Sequence, residues 1–167
     1  NKMDGPICLL VGDRRPHVEW TKEMNFDPKK VTLPSFFIDT QETREHWARY
    51  LTDIEGMDQE MSRVLKFAEK KFGKDFIFLF TSDHGGQWPF GKWNLYDYGT
   101  RVPLQVRWPG KIKANVRTSA MVSWVDILPT LIDLAGGDAP QSIDGKSFAP
   151  ILLGKSKAQR EMIFTTN

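Results

Sequence analysis

Three short stretches hold the side chains that could do chemistry. Ser82-Asp83-His84-Gly85-Gly86 sets a carboxylate beside an imidazole. A carboxylate is a hard oxygen ligand and an imidazole offers one nitrogen, so together they make half of a metal site. Adjacent residues of a regular strand point to opposite faces, so both reach one ion only where the strand has ended, as Gly85-Gly86 implies. The same residues also read as an ordinary turn, with Asp83 capping it. Gln87-Trp88-Pro89-Phe90-Gly91-Lys92-Trp93-Asn94 places Lys92 among three aromatic residues. A lysine held against apolar walls is a compact cation for sulfate or phosphate oxygens, and it can stabilise charge on a departing oxygen. A solvated surface lysine fits the pattern as well. Trp88, Phe90 and Trp93 then either pack the loop or, in a carbohydrate enzyme, stack on sugars. His17 follows the polar turn 12–16. It can accept a hydrogen bond when neutral, bind an anion or protonate a leaving oxygen when charged, or simply support its turn. His46 falls within a helical segment and reads as structural. Arg101, Asp97 and Asp13 are candidates for a supporting layer, with Arg101 bracing the Lys92 loop.

The elements that must position these residues alternate strand and helix, which favours a layered α/β fold. Pro6 to Val11 reads as a buried strand delivering His17, with Cys8 inside it. Asp75 to Thr81 is the clearest strand and ends directly at Asp83-His84. Continuous apolar character over so few residues favours a parallel-sheet position covered on both faces, and ligands gather where parallel strands end at their carboxyl side. Pro103 to Trp108 is a further strand near a sheet edge. Between them, residues 18–40 read as a long loop, and a helix or pair of helices runs from Glu42 to about Phe72, with a bend plausible at Gly56. Ile54, Met57, Met61, Leu65, Ala68 and Phe72 form its apolar stripe, which reads as core packing. Asp39 or Thr40 can cap the start, and Gly73 is a stop signal. Trp124 to Ala135 is helical. Pro129 is tolerated in its first turn if Asp126 is the cap, and should kink the helix if Ser123 is. Phe148 to Leu153 is a short apolar anchor, and Glu161 onward looks like the start of a strand.

Composition narrows the classes. The 167 residues amount to about one ordinary domain, and 40% apolar content supports a sizeable core. Lysine and arginine total 23 against 21 acidic residues, a net charge of +2, which argues against a nucleic-acid surface. One cysteine rules out an intrachain disulfide and a cysteine metal cluster. No stretch approaches the ~20 apolar residues of a membrane span.

Taken in order, Val11-Gly12-Asp13-Arg14-Arg15-Pro16-His17, Phe80-Thr81-Ser82-Asp83-His84-Gly85, and the run Gly91-Lys92-Trp93-Asn94-Leu95-Tyr96-Asp97-Tyr98-Gly99-Thr100-Arg101-Val102-Pro103 resemble the sulfatase family. Residues 104–110, 125–136 and 144–148 extend the resemblance over nearly the whole chain. The polysaccharide and glycosaminoglycan sulfatases are the nearest kind. The resemblance implies part of an alkaline phosphatase-like sandwich, with helices flanking a mostly parallel central sheet, and residues 1–167 as a portion of its catalytic domain. It implies hydrolysis of sulfate esters or N-sulfate of a sulfated carbohydrate, or of a small aryl sulfate. It also implies a divalent ion on Asp83 and His84: calcium, with manganese or zinc as alternatives because imidazole suits softer ions. Lys92 matches the lysine that binds the transferred sulfate, and His17 a histidine near the leaving oxygen. A formylglycine made from Cys or Ser in a Cys/Ser-x-Pro-x-Arg motif attacks sulfur in that family. No such motif occurs here, nor a match to the family's early aspartate pair. The nucleophile and remaining ligands are therefore expected in an N-terminal half outside this segment, and the isolated piece is expected to be inactive. A periplasmic or secreted location is implied by the same resemblance. Two other readings stay open: a phosphodiesterase or phosphonate monoester hydrolase of the same superfamily, and a non-catalytic anion- or glycan-binding homologue.

Overall fold

The computed structural model describes residues 6–165. The chain divides into two compact units. The first holds the described residues through Phe67 together with Gly86–Pro89, and the second holds Ala68–Gly85 and the described residues from Phe90 onward.

The first unit is built on α1, Gln41–Phe72, whose final turn belongs to the second unit. Thr40 caps it, its hydroxyl accepting the Thr43 N–H at 3.1 Å, and Glu42 sits at the positive end of the helix dipole. Lys70 and Lys71 occupy the last turn, and Gly73 stops the helix at φ +80° with its N–H on the Glu69 carbonyl at 3.0 Å. Gly56 does not interrupt it. The Arg15 guanidinium lies where a Cβ at Gly56 would be, 2.7 Å away, so the absent side chain makes room for an ion-paired loop. Arg15 in turn grips Asp13 at 2.6 Å and holds that carboxyl below the usual carboxylate range.

The long loop before α1 is tied down by polar bonds rather than by secondary structure. Arg44 forks onto Asp39 at 2.6 and 2.7 Å and donates to the Val31 carbonyl at 3.0 Å. The buried side chains of Thr52 and Asp53 accept the Asn25 and Thr21 N–H groups. Beneath them lies a core of Val31, Trp47, Ala48 and Tyr50, joined by Trp20, Phe37 and Trp88. Trp88 stacks on Trp20 at 4.5 Å and meets Trp47 edge-on at 5.3 Å. Each such ring pair adds about 0.5–1.5 kcal/mol beyond burial. Trp88 is therefore a core residue, the packing alternative of the two expected. His46 packs edge-on against Trp20 at 5.8 Å, the structural role read from the sequence.

This core makes a prediction. Burial pushes the Tyr50 phenol above its ordinary value of 10. A raised folded-state pKa stabilises the fold fully below the unfolded value, and that contribution is lost as pH rises through the folded value. Stability should decline above about pH 10. Tyr50→Phe should flatten that decline, read by denaturation midpoints at pH 8 and pH 11.

The second unit holds β1, Phe78–Thr81, and β2, Leu104–Arg107. The expected mostly parallel central sheet is corrected here. Among the described residues the sheet has two strands, paired antiparallel with Phe78 opposite Arg107 and Thr81 opposite Leu104. The residues of β1 are half-buried, not covered on both faces as expected, and an apolar run carries no information about the direction of the neighbouring strand. The sheet is braced by Arg107 on Glu69 at 2.6 Å and by the Trp108 indole N–H on Asp75 at 2.8 Å. Residues 6–11 form no strand either. They carry no regular structure, with Leu10 92% exposed and Cys8 exposed. Residues 161–165 carry no strand, and the remainder of that expected element lies outside the described residues.

The short helix α2 spans Asp97–Thr100, and a 3₁₀ turn over Trp124–Asp126 leads into α3, Ile127–Leu134. Ser123 caps the 3₁₀ turn; Asp126 stands at the N-cap position of α3 without a side-chain cap bond to it, and Pro129 falls in the first turn of α3. Gly136 at φ +78° ends the helix. α4, Ala149–Leu152, follows Phe148, which is 2% exposed.

Candidate active site

The turn after β1 brings Asp83 and His84 together. The His84 backbone N–H donates to Asp83 Oδ1 at 2.9 Å, and His84 Nε2 lies 3.3 Å from Asp83 Oδ2. His84 Nδ1 is 2.8 Å from the Gly85 carbonyl oxygen. A carbonyl can only accept, so Nδ1 carries the proton and Nε2 is left to face the carboxylate. This is the arrangement in which a backbone acceptor fixes the tautomer of a ligating histidine. The Asp83 side chain is 80% exposed, so water solvates its charge. Among the described residues no group of three or more His, Cys, Asp or Glu side chains gathers around one point.

The turn is held from both sides. The Ser82 hydroxyl donates to the His84 carbonyl at 2.8 Å, and the Trp124 indole N–H donates to the Ser82 carbonyl at 3.1 Å. The Gly85 N–H donates to the Gly99 carbonyl at 2.8 Å. A Cβ on Gly85 would sit 1.8 Å from the Tyr98 carbonyl oxygen, so only glycine allows this approach of α2.

Gly99 then joins the second candidate loop. A Cβ there would lie 2.4 Å from both the Gly91 and Asn94 carbonyl oxygens. The Asp83 turn and the Lys92 loop therefore both pack against one buried glycine. The loop itself is strained. Phe90 and Trp93 adopt φ of 63° and 68°, a conformation costing roughly 1–2 kcal/mol for a residue with a side chain. Lys92 is half-buried between them, its Nζ 5.3 Å from the Trp93 ring centre. Sequence reasoning singles out Gly85 only as a sign that the strand has ended, and Gly99 not at all. The one available signal was a glycine inside the short polar run Tyr98-Gly99-Thr100, and it carries no mark of which backbone it admits.

The other candidates stand as follows. His17 is exposed in the first unit, its N–H on the Arg14 carbonyl at 2.8 Å and its Nδ1 2.5 Å from the Val18 carbonyl oxygen. Asp13 is engaged by Arg15 within that unit. Asp97 opens α2, and the Arg101 backbone N–H closes it on the Asp97 carbonyl at 2.8 Å.

Comparison with known proteins gives a consistent picture. Residues 84–166 match the family model described as N-sulphoglucosamine sulphohydrolase, C-terminal. The chain is 32% identical over 160 residues to an ulvan-active sulfatase of Formosa agariphila, covering 90% of this chain and 30% of that protein. It is 35% identical to an N-acetylglucosamine-6-O-sulfatase of Bacteroides thetaiotaomicron, covering 68% of this chain and 21% of that protein. Among solved structures, a phosphonate monoester hydrolase from Silicibacter pomeroyi superposes with a TM-score of 0.61 at 27% identity, over 78% of this chain and 27% of that one. The chain thus spans less than a third of the length of these curated relatives.

Proposed function

The chain belongs to the sulfatase/alkaline-phosphatase-like superfamily, and from that premise we propose that the full-length protein hydrolyses sulfate esters or N-sulfate of a sulfated carbohydrate. The observation that carries this reading is the packing of both the Asp83 turn and the Lys92 loop against Gly99. It sets a pair of metal-type donors and a cation into one unit, as an anionic tetrahedral group requires.

In this reading Asp83 and His84 would hold one divalent cation. Their 3.3 Å separation and the Nδ1–H bond to Gly85 fit two donors turned toward a common ion. Calcium is the ion proposed, with manganese or zinc as the alternatives that an imidazole ligand favours. When bound, the cation supplies positive charge that draws sulfate oxygens into the site. Lys92 contributes a second positive centre and neutralises the departing oxygen. His17 is proposed to contact the sulfate near the leaving oxygen. The formylglycine nucleophile and further ligands are assigned to the parts of the relatives that this chain does not span, which makes residues 1–167 a portion of the catalytic domain. Among the described residues no helix is long and apolar enough to cross a membrane.

The test is release of free sulfate, measured by ion chromatography, from sulfated saccharides incubated with the full-length, formylglycine-bearing protein. Sulfate release supports the reading; a correctly folded preparation that releases none rejects it. The likeness to a phosphonate monoester hydrolase favours one alternative, a phosphodiester or phosphonate monoester hydrolase on the same scaffold.

A further inference from the structure

We infer that Trp93 is a stacking platform for the sugar ring of a sulfated saccharide whose sulfate is held by the neighbouring Lys92; this rests on the reading above and names the subsite that recognises the carbohydrate.

Four observations converge on Trp93. Its side chain is displayed, with the residue 68% exposed. Its backbone is held at φ 68°, which a bulky residue avoids unless its surroundings impose it. Those surroundings are on hand. The Gly91 and Asn94 carbonyls press against the bare α-carbon of Gly99, and the Asn94 N–H closes the loop on the Gly91 carbonyl at 3.1 Å. The display is therefore fixed in place, and an organised surface loses less entropy when a ligand docks.

The fourth observation identifies the occupant. The Lys92 ammonium lies over the indole, 5.3 Å from its centre, a cation–π contact that sets a positive charge on one of its two faces. An anion taken by that ammonium lies within reach of the ring for any group attached to it. A pyranose has an apolar C–H face and a rim of hydroxyls. The ring of Trp93 suits the first, and the exposed side chains of Asn94 and Asp97 suit the second. A purely apolar partner would gain nothing from the ammonium, and a bare anion would gain nothing from the indole. A sulfated sugar uses both.

The experiment is isothermal titration calorimetry on the full-length protein with two probes, inorganic sulfate and a short sulfated saccharide: N-acetylglucosamine 6-sulfate or an ulvan oligosaccharide, whichever the unmodified protein binds more tightly. Trp93→Ala should weaken saccharide binding about 10-fold and leave the affinity for inorganic sulfate unchanged. Trp93→Phe should recover most of the loss. A thermal melt confirms that both variants fold, as expected for an exposed ring. Unchanged saccharide affinity in Trp93→Ala overturns the inference. So does an equal loss for both probes, or an unmodified protein that binds sulfate but neither sugar. The two readings separate cleanly: a protein that releases no sulfate, yet loses saccharide affinity with Trp93→Ala, removes the hydrolase and leaves the platform standing.

Discussion

Lys92→Ala in the full-length protein should lower kcat for sulfate release by roughly 10²–10³-fold, the size seen when one preorganised charge-stabilising group is removed. Lys92 is held at the centre of a strained loop, between two residues at positive φ and against the Trp93 ring. Such strain is kept where the surrounding packing determines it, here through Gly99 against Gly91 and Asn94. A compact ammonium on a flexible stem meets one oxygen at a time, whereas a guanidinium is a wide planar fork. Lys92→Arg should therefore recover little of the loss, because a wide planar fork does not reproduce a point charge at the same place. The thermal midpoint should move far less than the rate in both variants, since the lysine lies outside the core of its unit. A kcat within a few-fold of the unmodified protein would remove Lys92 from the chemistry. An equal collapse of rate and stability would make it a structural residue.

Asp126→Ala is expected to have the largest effect on stability, a loss of about 3–5 kcal/mol, the cost of breaking a buried charge pair by removing one partner. Asp126 is completely buried. Its Oδ2 accepts the Ser123 N–H at 2.8 Å, and its Oδ1 accepts the Lys146 N–H at 2.8 Å and pairs with the Arg160 guanidinium. Its carbonyl accepts the Thr130 hydroxyl at 2.6 Å, and Thr130 in turn accepts the Phe148 N–H at 2.9 Å. One carboxylate thus fastens a 3₁₀ turn, a loop and a distant arginine to the start of α3. Alanine would leave Arg160 without its carboxylate and strand two backbone donors away from water. Gly145 shows how tight this assembly is, since a Cβ there would lie 1.9 Å from the Val125 carbonyl oxygen. Urea denaturation of the full-length protein measures the effect. A loss below about 1 kcal/mol would contradict the assignment of Asp126 as the fastening point.

The placement of the candidate residues on their elements is legible in the sequence where local signals are enough. Asp83-His84 at the end of an apolar strand, and Lys92 in an aromatic loop, both fall where the residues pointed, because turn chemistry and strand ends are written in a few adjacent positions. The helix from Gln41 to Phe72 was legible in the same way, from its cap, its apolar stripe and Gly73. Direction of strand pairing was not. The apolar run 75–81 suggests a parallel position covered on both faces, whereas β1 pairs antiparallel with β2 and its residues are half-buried. Residues 6–11 failed for a related reason. A strand exists only with a partner to satisfy its backbone, and the described residues offer none to that segment. Trp88 shows a third limit. Three aromatic residues in one loop looked equivalent, yet Trp88 is built into the Trp20–Trp47–Tyr50 cluster while Trp93 faces water. Asp126 was read as a helix cap. Its links to Lys146 and Arg160 are 20 and 34 residues away, beyond any local pattern.

Whether the full-length protein acts on sulfur or on phosphorus is decided most directly by kcat/KM for an aryl sulfate and for a bis-aryl phosphate, measured side by side on one preparation. The sulfate ester is predicted to be the better substrate. Faster turnover of the phosphate diester, with zinc or manganese rather than calcium in the protein, would contradict the assignment.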